Sequence, residues 1–141
     1  MSGVADEVRE RVQSDAFCDT LGIDVVELQP GYARTELTVT EGLLNFHGTP
    51  HGGAIYSLAD AAFAAASNAR GETAVALETN ISYLEAVDFG STPPATCEEP
   101  HAARATAEFA GTVPADPDHS THTVLGTLHR VDSPGTVSVG A

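Results

Sequence analysis

The chain contains no lysine. Its six basic residues are all arginine, against 20 Asp and Glu, and the formal net charge over 141 residues is −14. A field of that sign repels nucleic acid and anionic membrane, which excludes both as main partners. Cysteine is scarce as well: Cys18 and Cys97 are the only two. Two are too few for a zinc framework, and in a reducing compartment no disulfide is expected between them. No apolar run of signal-peptide type opens the sequence, so the expected location is the cytoplasm. A long uncharged hydrophobic run is also missing. Residues 52–69 come closest, but they are rich in Ala and Ser and carry Asp60, which argues against a membrane span.

Apolar content of 42% is enough for one domain with a real core. The acidic, lysine-free composition is similar to that of proteins from extremely salt-loving cells. At molar salt the charges are screened over about 3 Å. Self-repulsion at −14 opposes both compaction and subunit assembly. The melting temperature should therefore rise between low and molar KCl, by about 4 °C for each kcal/mol of repulsion relieved. A melting temperature independent of salt would reject this expectation.

Residues 4–18 read as one short amphipathic helix, with Val4, Val8, Val12 and Phe17 along an apolar stripe. The segment IDVVELQPGYARTELTV reads as a hairpin that turns at Pro30-Gly31. In its second arm Ala33, Thr35, Leu37 and Val39 alternate with Arg34, Glu36 and Thr38, the period of a half-buried strand. A loop over residues 40–50 leads into a long helix at about residues 52–69, with Asn68 and Gly71 as stop signals. TAVALETNISYLEAV follows as a strand with Val75, Leu77, Ile81 and Tyr83 on one face. TCEEPHAARATAEFAGTV and THTVLGTLHRVD supply two or three more. Pro93, Pro94, Pro100, Pro114 and Pro117 crowd this region and must sit at edges, bulges or strand ends, because proline donates no ladder hydrogen bond. No repeat or second domain is visible. Residues 1–131 form one expected domain, and the Ser-, Pro- and Gly-rich residues 132–141 are expected to fray. This order implies an α+β domain in which an antiparallel sheet wraps one helix. A dimer joined through sheet edges would cover what a single sheet leaves bare.

The long helix carries one formal charge, Asp60. At 100° per residue, Ile55, Leu58, Ala59, Ala62, Phe63 and Ala66 form an apolar face. Gly53, Tyr56, Ser57, Asp60, Ala64 and Ser67 form a small, polar one. A solvated face usually carries several charges. A lone carboxylate on a half-buried stripe is instead a candidate general base or nucleophile. Gly52 and Gly53 open the helix, where unpaired N–H groups and the positive end of the dipole suit an oxyanion, and glycine lets a ligand come close. Without Asn45, His51 and Asp60 around it, the glycine pair would be no more than a flexible entry to the helix. Asp60 lies about 10 Å along the axis from Gly53, too far for one carbonyl to touch both. Two helices running antiparallel across a dimer interface would bring Gly53 of one copy to Asp60 of the other.

Asn45, followed by HGGAIYSLADAAFAAASNARG from His51 to Gly71, resembles the hotdog-fold acyl-CoA thioesterases of the phenylacetate-degradation (PaaI-like) group. Weaker likeness extends over about residues 17–131. The resemblance implies a hotdog fold, active sites at a homodimer interface, and a homotetramer built as a dimer of dimers. It implies hydrolysis of a medium-sized or aromatic (phenylacetyl-type) acyl-CoA to free acid and CoA. Asp60 would then be base or nucleophile and the Gly53 N–H would polarise the carbonyl, with Asn45 and His51 positioning substrate or water. Gly52, Tyr56, Ser57, Asn80 and Arg104 are candidate substrate contacts. No metal and no cofactor beyond the coenzyme A of the substrate is expected. His119, His122 and His129 read as exposed or structural, because no carboxylate or cysteine set accompanies them. Arg104 and Arg130 could meet CoA phosphates or pair with the many acids of the chain. The sequence departs from the family pattern at Ala86, where relatives usually have Pro, and at Gly90-Ser91 in place of Gly-Asp. The competing readings are a hydratase-like hotdog enzyme and an acyl-CoA-binding dimer with weak or no turnover. Hydratases of this fold pair the Asp with a His in a different motif.

Overall fold

A computed structural model describes residues 3–83, 87, 89, 90, 92, 94–102, 106–116 and 119–131. Side-chain surroundings are described for residues 3–74, 87, 89, 90, 92 and 94–98. The expected tail over residues 132–141, Arg104, Ala86, Ser91, Pro93 and Pro117 lie outside the described residues.

Two helices, α1 (Asp6–Gln13) and α2 (Ala16–Leu21), replace the single N-terminal helix expected from the apolar stripe. The break has a local cause. The Asp15 carboxylate accepts from the Cys18 N–H at 2.9 Å and starts a new helix, and Gly22, at φ 78, ends it. The stripe loses its phase there. Val4 and Val8 are buried, whereas Phe17 is 60% exposed.

The hairpin forms as expected from β1 (Ile23–Gln29) and β2 (Tyr32–Leu37). Gly31 at its turn has φ 72, and the Arg70 guanidinium lies 2.8 Å from where a Cβ would stand, so both backbone and space require glycine. A bulge at Val26 shifts the register, so Ile23 and Leu28, five residues apart, both face the core. Ala33, Thr35, Leu37 and Val39 are all buried, as the alternation requires. Thr35 carries a hydroxyl into that core, and it donates to the Leu58 carbonyl at 2.9 Å.

Helix α3 (Gly52–Asn68) buries Ile55, Leu58, Ala59, Ala62, Phe63 and Ala66, the face assigned to the core. The buried arc is wider than expected. Ala54, Ala65 and Ser67 are also buried, and the Ser67 hydroxyl turns back to the Ala64 carbonyl at 3.1 Å. Asn68 is a clamp as well as a stop signal. Its amide donates to the carbonyls of Ala64 and Ala74, and its oxygen accepts the Ala74 N–H at 2.9 Å. This fixes the angle at which the chain leaves the helix for the next strand. Asn68→Ala should lower unfolding free energy by about 2 kcal/mol, because it strands half-buried backbone groups. A shift of the urea midpoint at unchanged slope is the expected result.

Strands β3 (Thr73–Tyr83), β4 (Pro94–Ala102), β5 (Thr106–Asp116) and β6 (His119–Val131) complete a six-stranded sheet in the order β1-β2-β4-β5-β6-β3. Every neighbouring pair is antiparallel. The three late strands resolve the two or three expected. Pro94 starts β4, Pro100 falls in the register shift between Glu98 and His101, and Pro114 sits at another, where missing donors do least harm. The single alternation expected along β3 does not hold. The register shifts between Ala76 and Glu78, which puts the two halves of the strand out of phase. Helix α3 touches all six strands, so the sheet curls around it. Among the described residues no helix is long and apolar enough to cross a membrane.

Candidate active site

The loop before α3 is short and heavily bonded. A 3-10 turn (Glu41–Leu43) is followed by a bridge between Leu44 and Pro50, and the His51 N–H donates to the Leu43 carbonyl at 2.8 Å. The Asn45 side-chain oxygen lies inside this loop and accepts from the His47 N–H at 2.9 Å and from the Thr49 N–H and hydroxyl, both at 3.1 Å. That saturates the oxygen. The Asn45 amide nitrogen donates to no described residue. Asn45 is held by what its oxygen does and offers what its nitrogen can do.

His51 is the N-cap of α3, and its Nδ1 accepts the Gly53 N–H at 2.8 Å. A nitrogen that accepts carries no proton, so the neutral ring holds its proton on Nε2. The sequence marks Gly53 as an oxyanion donor, and in the free chain this donor is capped by His51. A carbonyl oxygen would have to displace Nδ1 to reach it. A Cβ at position 53 would stand 3.0 Å from that Nδ1, so glycine here is what permits the close cap. Ser57 donates to the Gly53 carbonyl at 2.8 Å. The serine hydroxyl is thus turned to backbone and not to a histidine, which leaves no Ser-His pair at this helix head. Gly52, Tyr56 and Ser57 are half-buried beside it.

Asp60 projects from the small polar face of α3, as the helical wheel requires. Its accessible surface is larger than the half-buried stripe implied, and the residue is exposed in the single chain. Neighbouring atoms still crowd the carboxylate enough that desolvation pushes its pKa above the ordinary aspartate value, and the charge of Asp15 adds to this. Asp15 was not singled out in the sequence as a neighbour of Asp60. Its sequence signal is a helix-capping one, an Asp directly before Ala-Phe-Cys. The two cysteines are free and buried. Burial, with Asp15 adding, pushes the Cys18 thiol up to about 11, and burial with Glu98 pushes Cys97 to about 12. Neither is a thiolate nucleophile near neutral pH.

Asn80 stands in β3 opposite Leu125, with its side chain outside the description, and Arg104 lies outside the described residues. His119, His122, His129 and Arg130 are strand residues of β6 whose side chains are likewise not described. An apolar cleft of about 270 Å³ opens beside the helix head, with Leu43, Leu44 and Ala54 in its walls and His51, Gly53 and Ser57 at its polar end. The sequence offered no signal for it, since its walls come from separate elements.

The family model of the thioesterase superfamily matches residues 47–121, a span that includes His51, Gly53 and Asp60. The chain is 34% identical over 119 residues to acyl-coenzyme A thioesterase PaaI of Escherichia coli (strain K12), covering 84% of this chain and 85% of that one. The chain belongs to the thioesterase superfamily. Among solved structures, this thioesterase superposes on the E. coli PaaI protein of the phenylacetic acid degradation operon with a TM-score of 0.82 and 33% identity, over 87% of this chain and 89% of that. A mutant of the phenylacetic acid degradation protein PaaI from Thermus thermophilus matches at 0.79 and 38%, over 83% and all (100%) of the two chains. A Streptococcus mutans protein bound to acetyl CoA matches at 0.72 and 27%, over 77% and 88%. The wrapped helix is that of a hotdog fold, and the chain is a thioester hydrolase.

Proposed function

We propose that this thioesterase hydrolyses a medium-sized or aromatic acyl-CoA to the free acid and CoA. The observation that carries the reading is Asp60, the one carboxylate of α3, with its proton affinity raised by desolvation in a chain of this superfamily. Asp60 removes a proton from the water that attacks the thioester carbonyl, or attacks that carbonyl directly to give an acyl anhydride that water then hydrolyses. The Gly53 N–H and the amide of Asn45 stabilise the oxyanion once His51 gives way. Collapse expels the CoA thiolate, a fair leaving group, so no Ser-His-Asp triad is needed.

Gly53 and Asp60 are about 10 Å apart along one helix, which supports a site shared by two copies. β3 ends the sheet, and its outer edge pairs with no strand among the described residues, whereas β1 at the other end is contacted by α1 and α2. An open edge of 11 residues favours pairing with a second β3. The protein then works as a homodimer, and as a homotetramer where two dimers meet, in the cytoplasm of a salt-rich cell.

Thiol release from acetyl-, butyryl-, hexanoyl-, octanoyl- and phenylacetyl-CoA tests the reading. Release should be fastest with the medium-length or phenylacetyl thioesters. Binding of these thioesters with no thiol released from any of them would identify a binding protein instead.

A further inference from the structure

We infer that the cleft between α2 and the head of α3 holds the acyl group of the substrate, and that Phe17 and Leu21 of α2 set how long that group can be. The inference rests on the acyl-CoA reading above and goes beyond it in assigning residues to chain-length selection. Phe17 and Leu21 are four apart on a six-residue helix and line the cleft together. Cys18, on another face of the same helix, is buried in the core, and Leu21 packs partly against that core as well as lining the cleft. Phe17 is 60% exposed and is not part of the buried core, and the cleft is what it lines. Leu43 and Leu44 supply the opposite wall from the bonded loop, so the cavity is bounded by two elements that the Asp15 cap and the Leu43–His51 hydrogen bond hold in place.

Volume and polarity agree with an acyl occupant. The cleft measures about 270 Å³. An apolar cavity of about 150 Å³ takes up benzene, so a phenylacetyl or hexanoyl group is within reach. The walls are hydrocarbon, and the polar end is formed by His51, Gly53 and Ser57 at the helix N-terminus. A thioester placed with its carbonyl at Gly53 would run its acyl tail between Leu44 and Leu21. Its CoA part would leave past the open end.

Non-hydrolysable S-alkyl-CoA thioethers separate this inference from turnover. Calorimetric affinities of ethyl-, butyl- and hexyl-CoA for the intact protein should rise about 4-fold per methylene, the effect of burying each CH₂. The hexyl-to-ethyl ratio, over four methylenes, is then about 250-fold. Leu21→Trp should fill the cleft and bring the ratio below about 10-fold. Phe17→Ala, at an exposed position that cannot threaten folding, should lower it by about 5-fold through loss of one wall. Equal affinities for the three thioethers would overturn the assignment, even if the protein hydrolyses acyl-CoA. So would unchanged ratios in both variants, or a Phe17→Ala variant whose only defect is a weaker dimer, which would mean that a second copy covers the cleft. Chain-length preference in thioether binding with no thiol release would instead reject hydrolysis and keep the cleft.

Discussion

Asp60→Asn should lower kcat by about 100-fold or more, with KM changed much less, because a positioned base contributes on that scale to the chemical step and little to ground-state binding. Folding should survive, since Asp60 lies off the buried face of α3 and makes no hydrogen bond to a described residue that the fold depends on. The pH behaviour sharpens the test. Desolvation, and then Asp15, raise the Asp60 pKa, so the acid-side fall in wild-type activity should lie at a higher pH than an unperturbed aspartate would give. The same shift has a sign for stability. The folded state holds the proton more tightly than the unfolded one, so the contribution of Asp60 is fully present below its unfolded pKa and is lost as pH rises through the folded pKa. At neutral pH the charged carboxylate is therefore a burden on the fold, and Asp60→Asn should melt no lower than wild type. A variant that keeps near wild-type kcat, or one that loses activity only because it unfolds, would remove Asp60 from the chemistry.

Mixing two inactive variants should restore activity to about a quarter of wild type, if the site is shared between copies. Asp60→Ala removes the base. Gly53→Pro removes the N–H that polarises the carbonyl, and proline is tolerated in the first helical turn because that N–H has no intrahelical partner. It also removes the donor that His51 caps. Each variant alone should be nearly inactive. After joint unfolding and refolding, about half of the dimers are mixed, and each mixed dimer has one site with both defects and one with neither. Recovery to about a quarter therefore follows from random assortment alone. The physical basis is the roughly 10 Å between Gly53 and Asp60 along α3, which prevents one reacting carbonyl from touching both on the same helix. Heterodimers verified by mass spectrometry that stay inactive would place both groups within one chain.

The apolar alternation of β2 and the buried face of α3 were legible in the sequence because each needs only a local period. Residues 33, 35, 37 and 39 follow a period of two, and residues 55, 58, 59, 62, 63 and 66 follow a helical one, and all of them are buried. The Asn45, His51-Gly52-Gly53 and Asp60 signature was legible for a different reason: chemistry-bearing residue types stand out on a helix with one charge. Other features depended on a single residue that periodicity does not see. Asp15 divided the N-terminal helix by capping its second half, and the extra residue near Leu77 put β3 out of phase.

That one helix would be wrapped by antiparallel strands, with Asp60 on its uncovered stripe, was already written in the linear chain, because hydrophobic burial acts on patterns of residue type that exist before folding. What stands next to Asp60 and Gly53 was settled by folding itself. The Asp15 charge, the His51 cap over the Gly53 N–H and the cleft between Phe17 and Leu44 arise where loops and helix ends meet. Such meetings depend on hydrogen bonds and close approaches between separate elements, and no period in the sequence encodes them.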